Sequence, residues 1–162
     1  MPDWQAEAII LSVRPHGEGS AVISVLTADY GRHAGLVRGG ASSKMRGIMQ
    51  PGNRVRVSWR ARLSEQLGPM QIELIQSVPA LLLDSPLRLS GVASMCALLD
   101  GALPEREAQP GLFEGSAALL DVIVLDDDNA GWVEGYVRWE LGLLAAVGYR
   151  LDLARCVASG QT

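Results

Sequence analysis

The sequence predicts an α+β chain: a small closed β-barrel of five strands over residues 1–80, followed by an all-helical domain over residues 81–162. Three observations carry this. Five short apolar runs, rich in β-branched residues and separated by Gly-containing turns, lie within the first 80 residues. At Pro79 the apolar spacing changes from two residues to a helical period. The charge divides at the same place: residues 1–80 carry nine Lys and Arg against six Asp and Glu, and residues 81–162 five against twelve. The overall net charge of -4 therefore hides a basic half and an acidic half. A partner responds to the local field within about a Debye length, roughly 8–10 Å, and not to the whole-chain sum.

The strands follow in order. Trp4 to Pro15 contains the run Ala8-Ile9-Ile10-Leu11 and reads as a buried strand. A turn at His16–Ser20 joins it to a β-branched-rich second strand, Ala21 to Thr27, as a hairpin. After Asp29-Tyr30-Gly31 a third strand, Arg32 to Arg38, sets His33, Gly35 and Val37 on one face. Residues Gly39 to Gly47 read as a flexible loop. Pro51-Gly52 turns into the fourth strand, Asn53 to Leu63, and Met70 to Val78 forms the fifth. Five strands of this kind fit the oligonucleotide-binding (OB) barrel, which binds nucleic acid across one face and its adjoining loops.

The fourth strand is the most informative stretch. Its period of two puts Val55, Val57, Trp59, Ala61 and Leu63 on one face and Arg54, Arg56, Ser58, Arg60 and Arg62 on the other. Same-face neighbours on a strand are roughly 6.6 Å apart. Four guanidiniums at that spacing suit an extended anion, although charged residues also serve simply to keep an edge strand soluble. The surroundings favour the anion. From Arg32 to Arg62 there are eight basic residues, Arg32, Arg38, Lys44, Arg46, Arg54, Arg56, Arg60 and Arg62, and no Asp or Glu. A solvated face normally mixes signs.

Beyond Pro79, Ser85 is placed to cap a helix with Pro86 at its first position. Its apolar residues are Leu89, Val92, Ala93, Cys96, Leu99 and Leu103, and Pro104 ends it. A second helix runs from about Leu112 to Leu125. A third runs from Trp132 to Val147, stopped by Gly148, with Val133, Tyr136, Val137, Leu141 and Leu144 as its core stripe. Arg138 and Glu140 lie off that stripe.

Catalytic chemistry finds little footing. His16 and His33 have no serine or cysteine beside them in a nucleophile setting. The three aspartates Asp126 to Asp128 suit a helix N-terminus better than a metal, because adjacent residues do not converge on one ion. The Gly39–Gly47 stretch lacks the Gly-Lys-Ser/Thr of a nucleotide P-loop. Neither an enzyme nor a cofactor is expected. Trp59, alternating with Val55 and Val57, reads as core, and Tyr30 is left open as a base-stacking residue. Cys96 and Cys156 show no disulfide spacing, the N-terminus is no signal peptide, and no apolar run approaches the ~20 residues of a membrane span, so a cytoplasmic protein is expected.

Several stretches carry a resemblance across essentially the whole chain. They are Trp4 with AEAIILSVRPHGEGSAVISVLT, then GRHAGLVRGGASSKMRG, Gln50-Pro51-Gly52, Tyr136-Val137-Arg138-Trp139-Glu140-Leu141, and LLAAVGYRLDL with Cys156. Together they resemble RecO, the bacterial recombination mediator family, in its alphaproteobacterial form. The resemblance implies an OB barrel and a helical domain, binding of single- and double-stranded DNA, and annealing of complementary strands. It also implies partnership with RecR and with the acidic C-terminal tail of single-strand binding protein in loading RecA, and a nucleoid-associated location. It puts the family's DNA-binding cations on Arg32, Arg38, Lys44 and Arg46, to which the period-two reading adds Arg54, Arg56, Arg60 and Arg62. Arg138 resembles the family's candidate for receiving the acidic tail. Some members carry a zinc module opening Cys-x-x-Cys; here Ser159 stands where the second cysteine would, which excludes a four-ligand zinc site. The family usually continues well past residue 162, so the helical domain is expected to be incomplete. The rival reading is a protein-interaction scaffold whose arginine face docks an acidic protein instead of DNA.

Overall fold

The computed structural model describes residues 2–126 and 131–161. Five strands form one antiparallel sheet: β1 (Asp3–His16), β2 (Ser20–Thr27), β3 (Gly31–Arg38), β4 (Arg54–Arg60) and β5 (Met70–Gln76), in the order β3-β2-β1-β4-β5. The sheet closes on itself where the Leu36 N–H donates to the Gly68 carbonyl at 3.0 Å, beside a parallel bridge from Leu36 to Pro69. The circuit β1-β2-β3-β5-β4 is OB-like, as the strand count and turns predict.

Period-two sequences close this barrel because one face of each strand is apolar. Ala8, Ile10, Ile23, Val25, Val37, Val55, Val57, Trp59 and Met70 fill its interior. β1 is apolar on both faces, so it serves two cores. Ile9 and Leu11 leave the barrel and join Leu26 under the helices, and a register shift between Ile10 and Ser12 marks a bulge there. Burying each such side chain contributes roughly 1.5–3 kcal/mol, which fixes the helices on this face of the barrel.

The segment after β3 departs from the expected flexible loop. Ser43–Ile48 is a short helix, α1, whose first turn is capped by the Ser42 hydroxyl accepting from the Met45 N–H at 3.2 Å. Its far end is tied to the barrel by buried Asn53, whose Nδ2 donates to the Gly47 and Ile48 carbonyls at 3.3 and 2.9 Å. Sequence periodicity is blind to a helix this short. The fourth strand is also shorter than expected. The chain leaves the sheet after Arg60, so Leu63 is 63% exposed instead of core, and Arg62 lies in the β4–β5 loop.

A 3-10 turn, Pro79–Leu82, leads into α2 (Pro86–Ala102), α3 (Pro110–Leu125) and α4 (Gly131–Ala146). Ser85 caps α2 as expected, accepting from the Arg88 N–H. Ala93 is exposed, and Met95 takes the core position instead. At the start of α4 the Asp126 carboxylate accepts from the Trp132 N–H at 2.6 Å; Asp127 and Asp128 lie outside the described residues. The helix ends at Gly148, with φ of 96°, and the Tyr149 N–H donates back to the Leu144 carbonyl.

The expected α4 stripe is corrected. Trp132, Tyr136, Trp139 and Leu143 pack on the core, while Val133 and Val137 are exposed. This helix is apolar on two faces, and the spacing alone could not tell which would win. The tryptophans win because they bury the larger area, and because Trp139 Nε1 finds a buried partner in the Ser116 hydroxyl at 2.9 Å.

Candidate nucleic-acid interface

Seven of the eight cations that the sequence groups together separate into three environments, and Arg62 stands apart. Arg32 is largely withdrawn from solvent. Its Nε donates to the Leu103 carbonyl at 2.8 Å, and its Nη1 lies 3.4 Å from Asp100 and 3.6 Å from Glu105. This arginine closes the C-terminal end of α2, where orphan carbonyls and the helix dipole favour a cation.

The β4 arginines face carboxylates from neighbouring elements. Register places Arg56 between Glu7 of β1 and Glu73 of β5, and Arg60 opposite Asp3. Arg56 Nη1 lies 3.7 Å from Glu73, and Arg54 Nη1 lies 2.9 Å from Asp121 of α3. Along the chain the arginine row has no acids, but across the sheet it does. Strand pairing brings residues far apart in sequence within about 5 Å, and that is where the compensating charge comes from.

Arg38, Lys44 and Arg46 form the third environment, at the end of the barrel where β3 runs out. All three are exposed, and among the described residues none forms an ion pair. They are held there by packing below them: α1 is anchored through buried Met49 and Asn53, so its polar side faces water with Lys44 and Arg46 on it. Arg38 shares the outer face of the sheet with Arg14 and His16, since His16 pairs with Ser20 and Ser20 with Arg38. Arg62, also without an ion pair among the described residues, lies in the β4–β5 loop.

Between the β1–β2 turn and the β4–β5 loop, a groove of about 460 Å³ crosses the β2–β3 face, lined in part by Arg14, His16, Val22, Ala34 and Leu67. This is the surface an OB barrel uses for oligonucleotides. The aromatic residues are elsewhere. Trp59 is 3% exposed inside the barrel, and Tyr30, 37% exposed, stacks on Trp4 with ring centroids 4.4 Å apart.

Arg138 stands on the outer side of α4. Its side chain is 77% exposed and holds Glu134, one turn earlier, at 2.7 Å. Exposed Val137 is its neighbour. Two arginines carry structural roles that sequence reading missed. Arg88 is buried and donates to the carbonyls of Ile123, Val124 and Asp126, closing the end of α3. Arg106, in the α2–α3 linker, has φ of 62° and reaches the Gln66 carbonyl. Neither has a motif; only the helix end or loop it meets gives it a role.

Burial, with the nearby Asp100 charge, pushes the Cys96 thiol up to about 12, and its Sγ lies 3.5 Å from the Ile10 carbonyl. Burial likewise holds His33 below the usual histidine range. Among the described residues no three His, Cys, Asp or Glu side chains are grouped to hold a metal ion. No helix among them is long and apolar enough to cross a membrane.

Two family models match this chain. The family model described as "Recombination protein O N terminal" matches residues 1–78, and "Recombination protein O C terminal" matches residues 83–162. This chain belongs to the RecO family. Among its relatives, the DNA repair protein RecO of Rhodospirillum centenum is 51% identical over 160 residues, covering 99% of this chain and 62% of that protein. The RecO of Jannaschia sp. is 46% identical, covering 99% of this chain and 64% of the relative. That of Rhodospirillum rubrum is 42% identical, with 99% and 65% covered. The chain thus spans a little under two thirds of the length of these relatives. The two matched family models divide the chain near residue 80, in accord with an OB-like barrel followed by helices.

Proposed function

We infer that this RecO-family chain is a non-enzymatic DNA-binding mediator of recombinational repair. Residues 1–80 act as the DNA-gripping module, and residues 81–162 form the frame on which protein partners dock. The observation that carries the reading is the cluster Arg38, Lys44 and Arg46, exposed and without an ion pair among the described residues, at the edge of an OB-type face. Arg62, in the β4–β5 loop, extends the cationic surface, while Arg60 sits opposite Asp3. Arg32 and Arg54 are reassigned to holding the helices on the barrel, and Arg56 to balancing Glu7 and Glu73.

Annealing needs no catalytic group. Two phosphate backbones repel each other, and a shared cationic surface lowers that repulsion while leaving the bases free to pair. In the cytoplasm, at the nucleoid, the same surface would hold single- or double-stranded DNA while RecR and the acidic tail of single-strand binding protein engage the helical domain for RecA loading. Arg138 with Val133 and Val137 offers that tail a cation flanked by apolar side chains, once it displaces Glu134.

The test is fluorescence anisotropy of a labelled single-stranded oligonucleotide at several salt concentrations. Five phosphate contacts on a single strand give a log–log salt slope near -3.5, at about -0.7 each. Arg38→Glu/Lys44→Glu/Arg46→Glu abolishes binding while the protein stays folded. Arg54→Glu/Arg56→Glu, judged at matched folded fraction, weakens it far less. Binding by the folded wild type that ignores salt, or a triple variant that binds normally, rejects the reading.

A further inference from the structure

The groove between the β1–β2 turn and the β4–β5 loop has a third wall that the barrel does not supply. The α2–α3 linker, residues 103–109, lies against β3: the Arg106 N–H donates to the Arg32 carbonyl at 2.7 Å, and Glu105 forms a parallel bridge with Arg32. This contact delivers the Arg106 side chain into the groove wall, where Nη2 donates to the Gln66 carbonyl at 3.1 Å.

Two features set Arg106 apart from an ordinary strap. It is the sole non-glycine among the described residues with positive φ, a conformation that a long L side chain adopts only under constraint. Its Nε is buried with no hydrogen-bond partner among the described residues. Both features cost stability, and the single bond to Gln66 is a modest return for them. A placement that is locally unfavourable and points a cation at an open groove has the character of a binding residue. Arg14 faces the same groove. Of the two acids lining it, Glu105 is compensated by Arg32 at 3.6 Å, whereas Glu65 in the β4–β5 loop forms no ion pair among the described residues.

We propose that Arg106, carried into the OB groove by the helical domain, contacts a phosphate of single-stranded DNA there, opposite Arg14. Glu65 then acts as a negative gate that weakens entry of the strand. The helical domain thereby contributes directly to DNA binding and does not serve proteins alone. This rests on the reading of the barrel as a DNA grip.

The experiment measures binding of labelled oligo(dT) by wild type, Arg106→Gln and Glu65→Gln across a salt series, with thermal melts of each. Arg106→Gln is expected to lose roughly tenfold in affinity at low salt, the scale of one charge-assisted hydrogen bond. Its slope should fall in magnitude by about 0.7, one phosphate's share. Glu65→Gln is expected to bind more tightly. In parallel, wild type is photo-crosslinked to a bromodeoxyuridine-substituted strand and the sites are mapped by mass spectrometry. Crosslinks in residues 61–69 or 103–109 support the proposal even where Arg106→Gln fails to fold. Crosslinks confined to the outer face of β4 and β5, around Ser58 and Gln71, overturn it. Unchanged affinity and slope in folded Arg106→Gln, with binding still lost in the Arg38/Lys44/Arg46 variant, overturns this inference alone. Absence of binding by folded wild type overturns it together with the DNA-grip reading.

Discussion

Arg32 Nη1 stands 3.4 Å from Asp100 Oδ1, joining β3 of the barrel to the last turn of α2, while Arg32 Nε holds the Leu103 carbonyl. The side chains are only 18% and 29% exposed, so this pair is screened less than a surface salt bridge. Arg32→Ala removes the pair and leaves Asp100 half-buried without its cation. The expected loss is about 2 kcal/mol, read as a fall in Tm of roughly 4–8 °C for a chain of this size. A double-mutant cycle with Asp100→Asn should show coupling between the two positions; additive losses would mean that the Leu103 bond does all the work.

Gly31 sits under the same linker. Its φ is 64°, and a Cβ built there would collide with the Glu107 carbonyl. Gly31→Ala therefore combines backbone strain with a clash that only movement of the linker can relieve. A loss of about 2–4 kcal/mol is expected, together with faster hydrogen exchange of the Arg106 amide. A variant as stable as wild type would show that the linker does not rest on this turn.

Arg88→Leu should be costly although no acid is in tight contact with it. The guanidinium serves three carbonyls at the end of α3 and one exposed carboxylate, Asp84, at 3.6 Å. Removing it strands carbonyls beside the core, at about 2–4 kcal/mol. Urea unfolding should show a lower midpoint with an unchanged slope, whereas Asp84→Asn should shift the midpoint little.

His33 makes stability depend on pH. Burial lowers its pKa foremost and the Arg106 charge lowers it further, against the Ala34 carbonyl and Glu105, which raise it. The unfolded chain, near 6.5, then takes up the proton before the folded one does. Stability from this group is complete above about pH 6.5 and declines as pH falls from there towards the lowered folded value, by at most ~1.4 kcal/mol per pH unit. Melts between pH 7.5 and roughly 5 should show this slope, and His33→Phe should flatten it. A slope that survives the substitution belongs to the carboxylates.

Much of the barrel was readable because alternation is a local property. Val55, Val57 and Trp59 are inside, as period two requires, and His33, Gly35 and Val37 likewise. Ser85 and Gly148 marked helix ends through chemistry carried by the residue itself. Errors arose where two local solutions compete: on α4 both Val133-Val137 and Trp132-Trp139 have helical spacing, and only packing area and the Ser116 hydroxyl decide between them.

Five alternating strands that form a barrel, the helices that follow, and the concentration of cations in the barrel half are all legible along the chain. Each of these depends on residues within a few positions of one another. Which cations remain available to a partner was decided only by the tertiary structure. Arg32 and Arg54 are claimed by Asp100 and Asp121, 68 and 67 residues away along the chain, and Arg56 by Glu73 across the sheet. Arg38, at the end of β3, and Lys44 and Arg46, on α1, form no ion pair among the described residues. Charge compensation acts through space over a few ångströms, and sequence separation carries no record of that distance.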